Sequence, residues 1–326
     1  MKKTLLCMAL FGATIGAAQA QSTVSISGRL DMSYGSLHTA AGTTQLLNTD
    51  TWTSARFTFA GVEDLGGGMK AGFFLESKMP ADTGVFTGFN RESYVYLKNN
   101  FGQLSAGEIL LWATEADNYT NTSGSNQVRP FGTLRPIGDK VPNTLAYTSP
   151  NLSGLAVQLA HTFGETVAAS TGNQDSIAAR YGIGNLKATA SFGKKVVTPG
   201  KDLKQSIASI GYNFGVVAVA GGYLVKDNTD TTVNDKTKLY WLNANLPIGS
   251  GALMASYQKQ KNDQGAAYDG HGWVVGGKYN FSKRTAVYTT YATATNNASG
   301  TFAVTSLTAS GGRTNSITSL GLIHMF

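Results

Sequence analysis

The sequence predicts an all-β protein, a 16-stranded antiparallel β-barrel that crosses a membrane. Apolar and polar residues alternate with a period of two along most of the chain, whereas the helical period is almost absent. Glycine (39) and tyrosine (14) are abundant and proline (7) is scarce, which favours strands joined by tight turns. The alternation continues from Thr314 to Phe326. Because an apolar strand at a sheet edge recruits other chains, we expect this one to close a barrel, which has no edge.

Residues 1–20 are predicted to be a secretory signal peptide, and residues 21–326 the exported barrel. Lys2 and Lys3 form the basic start, an apolar stretch follows, and small residues ending at Ala20 form the cleavage site. A membrane-anchor helix is disfavoured, since the apolar stretch is short and no stop-transfer pattern follows it. The single cysteine is Cys7, so the mature chain is expected to have no disulfide and no cysteine chemistry.

The charge of the chain argues against a nucleic-acid partner. The formal charge of +7 falls to 7 − 2 = +5 once Lys2 and Lys3 are removed, and the charges are scattered rather than clustered. Outside the signal, the longest apolar run covers about residues 215–225, well below the ~20 residues of a spanning helix. A membrane would therefore have to be crossed by strands.

Two kinds of connection separate the predicted strands. The short turns lie at 66–68, 99–102, 150–154, 184–185, 213–215, 247–251 and 280–284, and the longer polar connections at 35–50, 79–89, 110–142, 164–174, 197–203, 227–235, 262–269 and 296–312. Seven short turns and eight long connections join sixteen strands and leave both chain ends on one rim. Short periplasmic turns and long extracellular loops are typical of bacterial outer-membrane barrels.

The alternation assigns one face of each strand to lipid and the other to a water-filled lumen. In the first strand Val24 and Ile26 face lipid. A soluble sandwich would instead bury this apolar face. Ile323 and Met325 are exceptions, because they are apolar on the lumenal parity. The charged residues predicted to line the lumen, either as selectivity residues or as ordinary wall residues, are Arg29, Asp31, Lys70, Glu76 and Lys78.

Eight segments, taken together and in this order, resemble the trimeric general porins of Gram-negative bacteria, in particular those of Neisseria and Burkholderia relatives. The segments are VSISGRLD (24–31), ARFTFAG (55–61), EDLGGGMK (63–70), FLES (74–77), FNR (89–91), YTSP (147–150), SKRT (282–285) and GLIHMF (321–326). The resemblance covers the predicted mature chain. It implies a homotrimer among outer-membrane lipids that passes small hydrophilic solutes and ions. It also implies that the last strand, with Leu322 and Phe326, is recognised by the barrel assembly machinery.

The same resemblance implies that the third long loop folds into the pore as its constriction, and loop 110–142 matches that loop in order and length. Arg56 matches a basic wall residue of the family. Glu108 stands where the family often has a basic residue; alternation gives it lipid-facing parity, and we expect Gly107 to turn it inward. Because the narrowest ring of charges sets selectivity, the predicted constriction residues are Arg56, Glu108, Glu115, Asp117, Arg129 and Arg135.

Several functional readings remain open from the sequence. A substrate-specific channel for sugars or organic anions is possible, and Tyr94 and Tyr96 share one parity on the fourth strand. The net charge indicates anion passage only weakly, so weak or absent selectivity is equally compatible. An enzyme is disfavoured, because no Gly-x-Ser-x-Gly elbow and no histidine pair with metal-ligand spacing occurs. A loop-borne adhesin role could coexist with a channel. No cofactor or metal is expected.

Overall fold

The computed structural model describes residues 23–126, 137–166, 170–229, 235–304, 307–308 and 312–326, which form an antiparallel barrel. The predicted signal peptide 1–20, as well as Arg129 and Arg135, lies outside these residues. No helix in the described part of the chain is long and apolar enough to cross a membrane.

Strands that are consecutive in the sequence lie next to each other around the barrel. Their bounds are β1 Thr23–Thr39, β2 Gly42–Thr49, β3 Arg56–Gly66, β4 Met69–Lys78, β5 Glu92–Asn99, β6 Gly102–Leu110, β7 Lys140–Thr148, β8 Leu155–Thr162, β9 Gln174–Ile183, β10 Leu186–Thr198, β11 Lys201–Asn213, β12 Ala218–Asn228, β13 Asp235–Ile248, β14 Gly251–Asn262, β15 Gly270–Asn280, β16 Thr285–Asn296, β17 Ala303–Val304, β18 Leu307–Thr308 and β19 Thr314–Met325. Helix α1 spans Ala116–Thr120, a 3₁₀ turn spans Ala266–Tyr268, and β17 and β18 form a separate small hairpin.

The barrel has sixteen strands, as predicted. The main sheet contains 17 strands, but β2 and β3 pair with the same side of β1, one after the other. Thr49 of β2 lies opposite Met32 and Arg56 of β3 lies opposite Arg29, so the two are one barrel strand interrupted by residues 50–55. The count is therefore 17 − 1 = 16.

The first and last strands close the sheet. The Phe326 amide donates to the Gly28 carbonyl at 3.0 Å, and the Gly28 amide donates to the Phe326 carbonyl at 3.1 Å. The Phe326 ring covers Gly28: a β-carbon there would lie 2.5 Å from the ring and 2.7 Å from the Arg56 carbonyl oxygen. Glycine at this position is therefore required for closure.

Replacing Gly28 by valine is expected to lower the yield of folded barrel, because overpacking against a ring and a backbone oxygen costs about 1–3 kcal/mol. The measurement is the fraction of refolded protein that shows a heat-dependent change in electrophoretic mobility. The exposed neighbour Ser27, replaced by valine, is the control. Equal folded fractions for the two variants would show that the ring contact does not matter.

Two of the predicted long loops are wrong. Strands β1 and β2 continue to a turn at residues 40–41, and β10 and β11 continue to a turn at residues 199–200, so 35–50 and 197–203 are mostly strand. The predicted loops at the other six places are connections in the structure. Residues 35–50 and 197–203 are mostly polar or small, and their composition therefore resembled that of loops.

The outward face of the barrel is apolar, but the inward face is not uniformly polar. Alternate residues such as Leu239 and Trp241 are buried inside, while Tyr240 and Leu242 between them are exposed outside. The inward residues of β11 to β19 join a buried apolar cluster made of Trp52, Ala116, Ile207, Leu224, Leu239, Trp241, Met254, Val274, Tyr288, Ala292, Ala294, Phe302, Ile317 and Ile323. The inward isoleucine at position 323 is thus a packing residue rather than a water-facing one.

Candidate functional site

The connection between β6 and β7, residues 111–139 (loop L3), lies inside the barrel in its described part. Four hydrogen bonds join L3 to β8, β10, β11 and β13 of the wall. The bonds are Trp112 N–H to Gln158 Oε1 (2.8 Å, β8), Ser191 Oγ to the Ala113 carbonyl (2.9 Å, β10), Thr120 Oγ1 to Ser209 Oγ (2.9 Å, β11) and Thr122 Oγ1 to Asn243 Oδ1 (2.9 Å, β13). The inward course predicted for this loop is therefore confirmed.

A second segment, residues 50–55 (the inner segment), also enters the barrel and meets L3. The Asn126 amide of L3 donates to the Trp52 carbonyl at 2.7 Å, and Asn126 Nδ2 donates to Ser54 Oγ at 3.3 Å. Trp52 is almost fully buried and packs 5.3 Å from the Tyr288 ring. L3 and the inner segment together narrow the lumen.

Asp31 holds the inner segment in place. Its carboxylate accepts the amides of Trp52 and Thr53, both at 2.6 Å, and the Tyr288 hydroxyl also donates to it. The side chain is inward-facing but fully buried beneath Trp52. The prediction that Asp31 lines the lumen is therefore wrong in this respect, because the inner segment covers it.

The Glu76 carboxylate forms ion pairs with two arginines on the inner wall, beside the inner segment. Its carboxylate lies 2.6 Å from Arg91 Nε and 3.3 Å from Arg56 Nε, and it accepts the Thr58 hydroxyl at 3.1 Å. Glu92 follows on the same inward face, directly opposite Glu76 in the strand pairing. This wall is a compact group of two cations and two carboxylates.

Two further cations, Arg29 and Lys278, lie beside the inner segment. Arg29 lies opposite Arg56 across the strand pair and donates from Nε to the Ser54 carbonyl at 3.1 Å. Lys278 Nζ lies 5.5 Å above the Trp52 ring. Among the described residues, neither Arg29 nor Lys278 forms an ion pair. Lys78, in contrast, lies 3.0 Å from Asp50.

Arg180 fastens L3 to the opposite wall. Its guanidinium lies 4.1 Å from the Trp112 ring centre and 5.2 Å from the Tyr119 ring centre, and it interacts electrostatically with Glu115 and Asp117. Both carboxylates are almost fully buried between L3 and the wall and have partners of their own. The interaction with Arg180 joins α1 and its flanks to β9.

The structure brings together some predicted site residues and separates others. Arg29, Arg56, Glu76 and Lys78 lie on the inner wall near the inner segment, and Glu115 and Asp117 lie in L3 against the other wall. Lys70 of β4 lies opposite Lys98 of β5, near the short-turn end of these strands. Leu322 and Phe326 are exposed on the outer face. Their assembly role and the positions of Arg129 and Arg135 lie outside what the described residues address.

Glu108 does not turn inward. It lies opposite Ser93 on the face that carries the exposed Val95, whereas Ile109 after it is buried inside. Between Gly107 and Ile109 the register advances two residues on β6 but three on β7, so the extra residue is on β7. Asn143 there has a positive φ of 55°. The inward turn predicted at Gly107 is therefore wrong: the irregularity is a bulge in the partner strand, and Glu108 stays on the outer face.

The sequence prediction missed four residues of the site: Trp52, Arg91, Arg180 and Lys278. Arg180 and Lys278 could have been found from parity, since Ala178 and Val274, their buried neighbours on the same face, point inward. Trp52 and Arg91 lie between strands, where alternation gives no information. Among the described residues, no group of three or more His, Cys, Asp or Glu side chains could hold a metal ion.

Replacing Arg180 by glutamine is expected to loosen L3, because cation–π contacts contribute about 0.5–2 kcal/mol each. The predicted result is stronger current noise through single open channels, at unchanged folding yield. The change Lys195→Gln removes the same charge from the adjacent strand without touching L3's rings and is the control. Open-channel current noise equal to that of the wild type in the Arg180 variant would contradict the role assigned to this side chain.

Comparison with known proteins gives relatives over most of the chain. The family described as Gram-negative porin matches residues 5–299. Outer membrane porin protein 32 of Delftia acidovorans is 31% identical over 312 residues, covering 88% of each chain. The solved anion-selective porin from Comamonas acidovorans has a TM-score of 0.80 at 25% identity, covering 94% of this chain and 100% of that one. OmpT of Vibrio cholerae, solved in a trimer form, has a TM-score of 0.70 at 16% identity, covering 94% and 99%, a likeness of fold.

Proposed function

The chain belongs to the Gram-negative porin family. We propose that its channel has a weak preference for anions. This preference arises at the constriction formed by L3, the inner segment and the inner wall that carries Arg29 and Arg56. The protein is an outer-membrane channel for passive diffusion of small hydrophilic solutes and ions. The sign and the residues of its selectivity are the part that is proposed. The related Comamonas porin is named as anion-selective, which agrees with the sign.

The placement of Arg29 and Lys278 carries this proposal. Arg56 and Arg91 are balanced by Glu76 and Glu92, so that group is close to neutral. Arg29 lies opposite Arg56, and Lys278 lies beside the inner segment over the Trp52 ring; among the described residues neither has an ion-pair partner. Charges at the narrowest part of a pore set its selectivity, and two uncompensated cations favour anions. The small excess makes the preference weak.

The test is the zero-current potential of the reconstituted channel under a potassium chloride gradient. A sign that favours chloride is expected, with a magnitude well below the ~59 mV per tenfold gradient of a perfectly selective pore. The variant Lys278→Gln is expected to move the potential toward zero. Lys283→Gln, in the turn after β15, removes the same charge far from the constriction and is expected to change nothing. A cation-favouring potential in the wild type would overturn the proposal.

Export and assembly belong to the same proposal. We propose that residues 1–20 are removed on export and that residues 21–326 form a homotrimer among outer-membrane lipids. We further propose that the final strand, with Leu322 and Phe326 exposed on the outer face, is read by the barrel assembly machinery. The trimer form of OmpT supports the oligomer. Amino-terminal sequencing should begin at Gln21, and an SDS-resistant oligomer that dissociates on boiling is expected. A monomer without heating would contradict the trimer.

A substrate-specific channel is the second candidate, and a row of inward aromatic rings favours it. Phe74 and Tyr94 stack at 5.5 Å, and Tyr96 lies 6.3 Å from Tyr94 on the same face. Such rings can stack on the apolar face of a sugar. Block of the ion current by a sugar, lost in Tyr94→Ala, would support this candidate. An ion current that no sugar concentration reduces would contradict the substrate-specific channel and support a general one.

A further inference from the structure

A strip of aromatic and basic side chains lines the inner wall of β4 and β5, between the constriction and the short-turn rim. Four pairs of residues on this face lie directly opposite each other, in order toward the rim: Glu76 and Glu92, Phe74 and Tyr94, Gly72 and Tyr96, and Lys70 and Lys98. Val95 and Leu97, which alternate with them on β5, are exposed on the outer face. The three rings and the two lysines (the ring–lysine strip) therefore face the lumen, on the path of a solute that has passed the constriction.

The rings of the ring–lysine strip form a connected surface. Phe74 and Tyr94 stack with 5.5 Å between their ring centres and 23° between their planes, and Tyr96 lies 6.3 Å from Tyr94. Gly72 leaves room for Tyr96, because a β-carbon at Gly72 would clash with the Tyr96 ring. The Tyr96 ring therefore lies across β4. All three rings are half-buried, so each keeps part of its surface available to a solute in the lumen.

The polar groups of the ring–lysine strip have no partner in the part of the chain that the structure describes. The Tyr94 and Tyr96 hydroxyls form no hydrogen bond there, and Lys70 and Lys98 form no ion pair. Asp64 lies opposite Lys70 on β3, but its carboxylate accepts an amide of its own turn at 2.9 Å and lies beyond ion-pair distance of the lysine. Like charges directly opposite each other destabilise a sheet. An anion bound between the two lysines would offset this repulsion.

We infer that the ring–lysine strip binds small aromatic carboxylates, of which benzoate is the simplest, as they leave the constriction. The aryl ring of such an anion stacks on Tyr94 and Tyr96. Lys98 follows Tyr96 after one two-residue step of the strand, about 7 Å, and the four-carbon stem of lysine spans this step. Its amine can therefore reach a carboxylate attached to the stacked ring. The inference rests on the proposed channel and assigns a solute class to one of its walls.

The pair of lysines favours an aromatic anion over a neutral sugar on the same rings. A sugar would stack on Tyr94 and Tyr96 but would leave the charges of Lys70 and Lys98 without a counter-charge. An aliphatic carboxylate would meet the lysines but would leave the rings unused. Only a solute that joins a flat apolar body to a carboxylate uses both parts of the ring–lysine strip.

Block of the ion current through single reconstituted channels in potassium chloride tests this inference. The probes are sodium benzoate, sodium acetate, which has the charge without the ring, and benzyl alcohol, which has the ring without the charge. Because aromatic stacking and the ion pair add to each other, the half-blocking concentration of benzoate is expected to be at least about fivefold below that of either other probe. Glucose is expected to block no better than benzyl alcohol.

Two double variants locate the site. Tyr94→Leu with Tyr96→Leu, and Lys70→Gln with Lys98→Gln, are each expected to raise the half-blocking concentration of benzoate about threefold or more. The control, Lys283→Gln with Arg284→Gln, removes two exposed cations from the turn after β15 at the same rim and is expected to match the wild type. Heat-dependent mobility shows whether each variant is folded. If a double variant does not fold, its two single variants are compared, and each is expected to weaken the block.

Several results would overturn the inference. Equal block by benzoate and acetate would exclude the rings, and equal block by benzoate and benzyl alcohol or glucose would exclude the lysines. Unchanged benzoate block in folded variants of the ring–lysine strip would place the binding elsewhere. These outcomes are distinct from failure of the proposed anion preference, which is read from the zero-current potential in potassium chloride alone. The probes are compared in the same channel, so its intrinsic selectivity does not decide the variant results.

Discussion

Replacing Glu76 by glutamine is expected to raise the chloride preference of the channel about twofold or more, since the local ring of charges sets selectivity. Glu76 is the only carboxylate within ion-pair distance of Arg56 and of Arg91 among the described residues. The amide keeps the shape of the side chain but removes its charge. Two guanidinium groups then face the lumen with Glu92 alone to offset them. The zero-current potential under a salt gradient measures the change.

The control for this variant is Asp82→Asn, which removes one carboxylate charge from an exposed position in the connection after β4. It is expected to leave the zero-current potential of the wild type in place. A glutamine variant that folds, as shown by heat-dependent mobility, and has the selectivity of the wild type would show that the pair of arginines does not face the ion path. A shift toward cations would contradict the assignment more strongly.

Replacing Asp31 by alanine is expected to release the inner segment and widen the channel. The carboxylate accepts the amides of Trp52 and Thr53 and the hydroxyl of Tyr288 in a buried position. Each buried donor left without an acceptor costs about 1–3 kcal/mol. The inner segment is therefore expected to detach from the wall, which breaks the hydrogen bond between the Asn126 amide and the Trp52 carbonyl. Larger single-channel conductance and a lower unfolding temperature are the expected readings.

A conservative variant at the same position and a control variant elsewhere accompany Asp31→Ala. Asp31→Asn keeps one acceptor oxygen and is expected to give an intermediate conductance. Asp175→Ala removes an exposed carboxylate that pairs with His161 and is expected to match the wild type. Loss of stability without any change in conductance would mean that the inner segment does not narrow the pore.

The strand plan was predictable because a period of two repeats over sixteen strands, whereas the exact register of each strand pair was not. The pairing of the first and last strands also followed from the count of turns, but the contact of Phe326 with Gly28 did not. The ends of the strands were harder. Residues 35–50 were predicted as one loop, but they contain the rest of β1, a two-residue turn and β2. These segments are mostly polar or small, so the alternation that marks a strand is weak there.

The interior of the barrel was less predictable, because its contacts join segments far apart in the sequence. Asp31 has the parity of a lumenal residue, yet Trp52, 21 positions later, covers it. Ile323 has the same parity and lies opposite Asp31 across the closing strand pair, where it joins the buried apolar cluster. Glu108 could not be placed from Gly107 alone, since the bulge depends on Asn143 in the partner strand.

Single-channel recording of the purified wild type in a planar bilayer shows whether the barrel encloses an open, water-filled channel. Stepwise ionic conductance is expected, with steps that occur in groups of three for a trimer and that grow when Asp31 is replaced by alanine. Protein that is folded by heat-dependent mobility but gives no conductance would contradict the claim that L3 and the inner segment narrow a water-filled channel without closing it.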